Sequence, residues 1–208
     1  MNAPRNPSQR SPLARFILGF VVLYTALLLP WPKLGAAYDS LFRGIGQSVF
    51  AENSGPRMVW FESAADAGHP YAMNICIASR ETFKRDGGGM VHSINMDSRS
   101  FGWQPTALIL AFFLATPVAW GRRLGGLALT LAAFHLFLWA ALAFAIWYNS
   151  SKVGLVVFTH WQTEAGTALE QAFLLGVTFL VPLLSWLVFA LKQPGFLCFL
   201  NRYEIALV

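Results

Sequence analysis

His160 and Glu164, in the stretch HWQTE, stand four residues apart. On a helix that spacing puts both on one face, where an imidazole and a carboxylate can hold a divalent metal. Two ligands do not close a site, so His69, His92 or Glu170 would have to converge on them. The plainer reading is a polar helix in an interfacial loop with solvated side chains, and that is the expectation. Cys76 offers a thiol, and His92 a base from across a hairpin. Such a pair can make a nucleophile. No orienting acid is evident, and strand alternation turns Cys76 away from Met73, Ile75 and Ile77. A half-buried free thiol is therefore expected.

His135 lies in the middle of an apolar segment, LAAFHLFLWA. Ionisable groups inside membranes usually mark a pathway or a partner. Yet no Asp, Glu, Lys or Arg lies at comparable depth, and a proton relay needs a second group. A neutral imidazole bonded to Thr178 or Ser185 is the expectation. Asp97 and Arg99, in DSRSFGWQP, stand where a polar region meets an apolar one. They are expected to brace that junction through an ion pair or backbone hydrogen bonds. The Arg99 guanidinium is also suited to a lipid phosphate or an anionic glycan.

No P-loop, GxGxxG, GxSxG or HExxH pattern occurs, so no cofactor is expected. The run Gly87-Gly88-Gly89 sits in a turn with no helix after it. The chain has two cysteines, Cys76 and Cys198. The topology below puts them on opposite sides of a membrane, where they cannot pair within one chain.

The elements that position these residues follow from composition. Of 208 residues, 56% are hydrophobic and 12% charged, with mean hydropathy +0.50. Soluble domains carry about 25% charged residues, so too few charges exist here to cover a soluble surface. The 8 Trp and 18 Phe point the same way, since aromatic rings suit membrane interfaces. The net charge of +5 comes largely from arginines bordering apolar segments, with no basic stripe interleaved with aromatics. Nucleic acid is not an expected partner.

Residues 1–13 read as a cytoplasmic tail. Residues 14–32, ARFILGFVVLYTALLLPWP after the first basic residues, read as a first crossing. The run is longer than a signal-peptide core and ends in Pro-Trp-Pro-Lys, not a small-x-small cleavage site. Residues 33–100 form the main external unit. Leu34, Tyr38, Leu41, Phe42, Ile45 and Val49 recur at helical spacing, with Asp39, Arg43 and Gln47 on the other side. This predicts an amphipathic helix on the membrane–water boundary or over the domain that follows. RMVWFES is a strand candidate. YAMNICIAS and MVHSINMDS alternate around KRDGGG, which predicts an antiparallel hairpin. One hairpin is marginal alone, so a third strand, the helix or a partner must cover it.

Residues 101–120 carry no charge; about 20 residues at 1.5 Å each match a hydrocarbon core of about 30 Å. Trp103 and Trp120 mark its ends, and Gly121-Arg122-Arg123 is read as its stop. Residues 124–148 are a third crossing in a tight hairpin with the second. Residues 149–167 are an external loop whose VGLVVF stretch suits an added strand. Residues 168–191 are a fourth crossing with Pro182 in its middle, and 192–208 a second cytoplasmic tail. Arg5, Arg10, Arg15, Arg122, Arg123, Lys192 and Arg202 then share one side, which the positive-inside rule makes the cytoplasm.

The expected fold is an α-helical multi-pass membrane protein, with four transmembrane helices and a small external antiparallel β unit carrying an amphipathic helix. Both termini are cytoplasmic and the main loop is periplasmic or extracellular. The expected function is that of an accessory or scaffold protein of the cell membrane, presenting the external unit to a membrane-protein partner in envelope assembly, export or sorting. The expected contacts are the lipid bilayer, that partner, and an anionic lipid or glycan at Arg99. Two alternatives stand beside it. One is a membrane enzyme at the external face, thiol- or metal-based and exosortase-like in layout only, using Cys76, His92, His160 or Glu164. The other is a small transporter subunit centred on His135.

Overall fold

The computed structural model describes residues 12–29, 31–51, 55–64, 72–86, 91–174 and 176–193. In chain order the elements are α1 (Pro12–Leu28), α2 (Pro32–Phe50), β1 (Arg57–Ser63), β2 (Ala72–Ser79), α3 (Arg80–Asp86) and β3 (Val91–Asp97). A π-helical turn (Arg99–Trp103) leads into α4 (Gln104–Ala115) and α5 (Trp120–Ser150). A 3-10 turn (Ser151–Val153) precedes α6 (His160–Leu174) and α7 (Val177–Leu191).

Four transmembrane helices were expected, and the structure does not support them. Among the described residues, one helical stretch, Trp120–Val153, is by itself long and apolar enough to cross a membrane. Two further pairs, Leu13–Leu28 with Lys33–Phe50 and His160–Ala172 with Val177–Leu191, pass only if each broken pair is counted as one span. The reasons are local. The uncharged run 101–120 is interrupted after Ala115, leaving α4 with 12 residues, about 18 Å at 1.5 Å per residue. Pro117 forces this break, because a proline disfavours helical backbone at the residue before it. The Gly-Arg-Arg stretch is consequently no turn: Arg122 and Arg123 lie in the first turn of α5, which runs for 31 residues.

The expected fourth crossing divides into α6 and α7 of 15 residues each. Gly176 has φ +87° at the junction, a left-handed conformation that ends helices and that glycine adopts without penalty. Pro182, placed by the sequence at the middle of that crossing, is accommodated inside α7. The expected first crossing, 14–32, ends at Leu28, and Trp31, extended (φ −83°, ψ 97°) ahead of Pro32, starts a separate helix, α2.

The described chain divides into two compact units. The first comprises Met1–Leu29, Thr106–Ala133 and Leu180–Val208. Its centre is a run of stacked rings: Phe16 on Trp186 at 5.7 Å, Trp186 on Phe112 at 4.6 Å, and Phe112 on Phe20 at 4.5 Å. Trp186 Nε1 donates to Thr116 Oγ1 at 2.8 Å, and Thr116 Oγ1 donates to the Phe112 carbonyl at 2.6 Å. Thus the hydroxyl at the break after α4 is satisfied inside the core. Arg123 donates from its two terminal nitrogens to the carbonyls of Leu114 and Val118, at 3.0 and 2.8 Å. It thereby caps the end of α4, whose last carbonyls have no partner within the helix.

The second unit comprises Pro30–Pro105 and Phe134–Phe179. It holds a three-stranded antiparallel sheet in the order β1-β2-β3. The register pairs Val59 with Ile77, Phe61 with Ile75, Ile77 with His92, Ile75 with Ile94 and Met73 with Met96. Those residues form one face, and Val59, Met73, Ile75 and Ile77 are buried in it. The alternation that predicted the strands therefore also set their sides. In place of a tight KRDGGG hairpin turn, residues 80–86 form α3; Gly87–Gly89 lie outside the described residues. The VGLVVF stretch is no strand: it begins in the 3-10 turn and continues irregularly past Gly154, at φ +74°.

Helix α2 packs on its unit through only part of the predicted apolar stripe, Phe42 and half-buried Tyr38, together with Asp39 from the other side. Leu34, Leu41, Ile45 and Val49 are exposed, Leu41 at 60% and Val49 at 62%, whereas Asp39 and Phe42 are buried. Gly46 explains the approach: a Cβ there would lie 2.7 Å from the Phe61 ring. The Phe61 N–H donates to Gln47 Oε1 at 3.0 Å, so Gln47, exposed as expected, also ties the helix to the strand. Phe42 stacks on Trp139 of α5 at 4.7 Å.

Candidate functional site

Strand β3 is an outer strand, and among the described residues no further strand pairs with its free side. Beside it lies a cavity of about 340 Å³. Four successive residues of β3 line it: Ile94, Asn95, Met96 and Asp97. Successive strand residues point to opposite faces of a sheet. The void thus follows β3 along its length from Ile94 to Asp97. The π-turn adds Ser100 and Phe101, and α5 adds Ala141, Leu142, Phe144, Ala145, Tyr148 and Asn149. Glu170, Gly176, Thr178 and Phe179 close the wall. The lining is mostly apolar, with Asp97 and Glu170 as its charged side chains.

Three sets of bonds hold these walls. His92 and Asn149 Oδ1 are 2.9 Å apart across the β3–α5 contact, and Asn149 Nδ2 donates to the Ala145 carbonyl at 2.8 Å. Asp97 Oδ1 accepts the Arg99 N–H at 2.9 Å and its Oδ2 accepts the Ser100 hydroxyl at 2.6 Å. This fixes the turn that leaves the sheet through backbone and hydroxyl groups. Tyr148 and Thr167 hydroxyls lie 3.0 Å apart, joining α5 to α6. Gly166 gives the ring room, since a Cβ there would collide with it.

The remaining sequence candidates are not brought together. Cys76 pairs with Ser93 and His92 with Ile77, so thiol and imidazole stand on opposite faces of the sheet. Cys76 is 5% exposed. Burial, and then the Glu62 carboxylate 3.9 Å from its sulfur, push its pKa up; the thiol stays protonated at neutral pH, the opposite of what a nucleophile needs. His160 and Glu164 do form a pair, at 3.2 Å, but their side chains are 90% and 69% exposed. Among the described residues no three His, Cys, Asp or Glu side chains cluster; His69 lies outside them. His135 sits half-exposed on α5, its ring edge-on to Phe134 at 5.5 Å.

Sequence reasoning missed Asp39, assigned to a solvent face, and Asn149, placed in a loop. Asp39 is buried, taking a hydrogen bond from Ser98 and another from Arg43. The signal was available for Asp39: Arg43 follows it at the i+4 spacing of a helical ion pair. Comparison with protein-family models, curated proteins and solved structures finds no match to this chain.

Proposed function

We propose that the protein is a membrane-held accessory protein that presents its sheet unit to a partner on the extracytoplasmic side, with α5 as its one full-length crossing helix. Helix α5 is uncharged from Leu124 to Ser150 and begins with Arg122 and Arg123. At 1.5 Å per residue its 31 residues extend about 46 Å, enough to cross a core of about 30 Å and reach both headgroup regions. Double arginine at one end favours the cytoplasm for that end. The other end bears Asn149, bonded to His92 of β3, so the sheet unit falls outside, and the stretch between β3 and Arg122, through the π-turn and α4, carries the chain back across.

The observation that carries the partner reading is the cavity beside β3, whose outer side pairs with no strand among the described residues. An unpaired edge exposes main-chain donors and acceptors and invites another chain. Cys76 and His92 stand on opposite faces of the sheet and His160 and Glu164 are exposed, so neither pair offers the support that this cavity gives the partner reading.

Fusions to alkaline phosphatase and to green fluorescent protein, placed after Arg123 and after Gly154, test the orientation. We expect phosphatase activity only from the fusion after Gly154 and fluorescence only from the fusion after Arg123. The reverse pattern, or a chain that stays dispersed in buffer without lipid or detergent, overturns this reading.

A further inference from the structure

We propose that the cavity beside β3 receives an extended segment of the partner as a fourth strand, seating an apolar side chain in the cavity and a lysine or arginine against Asp97 and Glu170. This rests on the reading of the sheet unit as partner-facing and names the chemistry of what binds. Three features converge. The void follows β3, touching Ile94, Asn95, Met96 and Asp97 in succession, and no described strand pairs with the outer side of β3. An added strand uses such an edge for main-chain hydrogen bonds, while pockets for alternate side chains give selectivity. Its volume of about 340 Å³ lies at the low end for ligand sites, about 300–1,000 Å³. That is room for a few side chains, and not for a helix about 10 Å across.

Charge selects the sign. Asp97 and Glu170 line the cavity, and among the described residues no Lys, Arg or His does. Both oxygens of Asp97 already accept hydrogen bonds from neutral donors, which leaves its negative charge uncompensated by them. A basic side chain in the added strand completes the site; an acidic one is repelled. The apolar floor, from Leu142, Phe144 and Phe179, takes the neighbouring valine or leucine.

The test uses the full chain in phosphatidylcholine nanodiscs, with empty nanodiscs as the blank. The probe is a fluorescein-labelled, end-capped six-residue peptide alternating valine or leucine with lysine. Fluorescence anisotropy is expected to show binding at least tenfold tighter than that of the same peptide with glutamate for lysine. N-methylation of alternate peptide nitrogens should abolish binding. Glu170→Gln, at an exposed position, should weaken binding severalfold, and Ala145→Trp should block it by filling the cavity. Equal binding of lysine and glutamate peptides, or of the N-methylated copy, overturns the proposal.

A photocrosslinker at Asn95 in cells separates this failure from failure of the underlying reading. Crosslinks to an extended basic-apolar segment support the proposal. Crosslinks to lipid, or to a helical or acidic segment of a partner, overturn it while leaving the orientation of the sheet unit intact.

Discussion

The Ser98 hydroxyl donates to Asp39 Oδ1 at 3.0 Å, joining residues 59 positions apart in the sequence. The other carboxylate oxygen takes the Arg43 Nε–H at 3.0 Å. Asp39 and Ser98 are buried, so this carboxylate ties α2 to the start of the π-turn. Ser98→Ala should cost about 1–2 kcal/mol and Asp39→Ala about 2–3, since the latter strands a hydroxyl and a half-buried guanidinium. Thermal unfolding in nanodiscs reads both. Melting at the parent temperature in both variants would show that the bond does not hold α2.

Arg123 caps the end of α4 through the Leu114 and Val118 carbonyls. Arg123→Ala should destabilise by about 1–3 kcal/mol, because two carbonyls lose their donors together. Arg123→Lys should recover only part, as one ammonium cannot reproduce the guanidinium fork. Full recovery by lysine would mean that charge, and not the two-point bond, is what matters.

Burial and Glu62 raise the pKa of Cys76. Alkylation by iodoacetamide should therefore be slow at neutral pH and rise only above the usual thiol range. Glu62→Gln should speed it at a given pH by removing the neighbouring negative charge. The linkage has a definite sign. The folded state holds the proton more tightly, so this contribution to stability is complete below the ordinary thiol pKa. It is lost as pH rises through the raised value. An alkylation profile with the midpoint of a free thiol would contradict the assignment.

Gly102 sits under the Tyr38 ring: a Cβ there would strike the Tyr38 hydroxyl and come within 2.9 Å of Cε1. Gly102→Ala should destabilise by about 1–3 kcal/mol, the usual cost of overpacking. Adding Tyr38→Phe removes the atom in closest conflict and should return part of that loss. Independent, additive effects in the double variant would argue against direct contact.

His160→Ala and Glu164→Ala should each change stability by less than about 0.5 kcal/mol, the range of an exposed i,i+4 pair. Calorimetric titration with Zn²⁺ should give the same heats for both variants as for the parent. Tight zinc binding lost in both would restore a metal role for this pair.

The strands were legible because their information is local. Alternation in 72–79 and 91–97 specifies the period and even the side on which Cys76 lies, and 57–63, read as a strand candidate, pairs with 73–79. The apolar character of 120–150 was equally legible, and so was its basic border. The helix breaks were harder to see. Pro117 and Gly176 stand in plain view, but averaging hydropathy over about 20 residues passes over a single residue that ends a helix. That is how one crossing-length helix and several shorter ones read as four crossings.

By itself, then, the sequence determined which segments avoid water, which alternate, and where arginines close an apolar run, since each depends on neighbours along the chain. Tertiary structure alone decided that α2 buries Asp39 and leaves Leu41 and Val49 outside. An apolar stripe says which face shuns water, not which neighbour covers it. It also decided the cavity beside β3, whose walls come from 94–101, 141–149 and 170–179. No local pattern encodes a void among segments that meet only when the chain has folded.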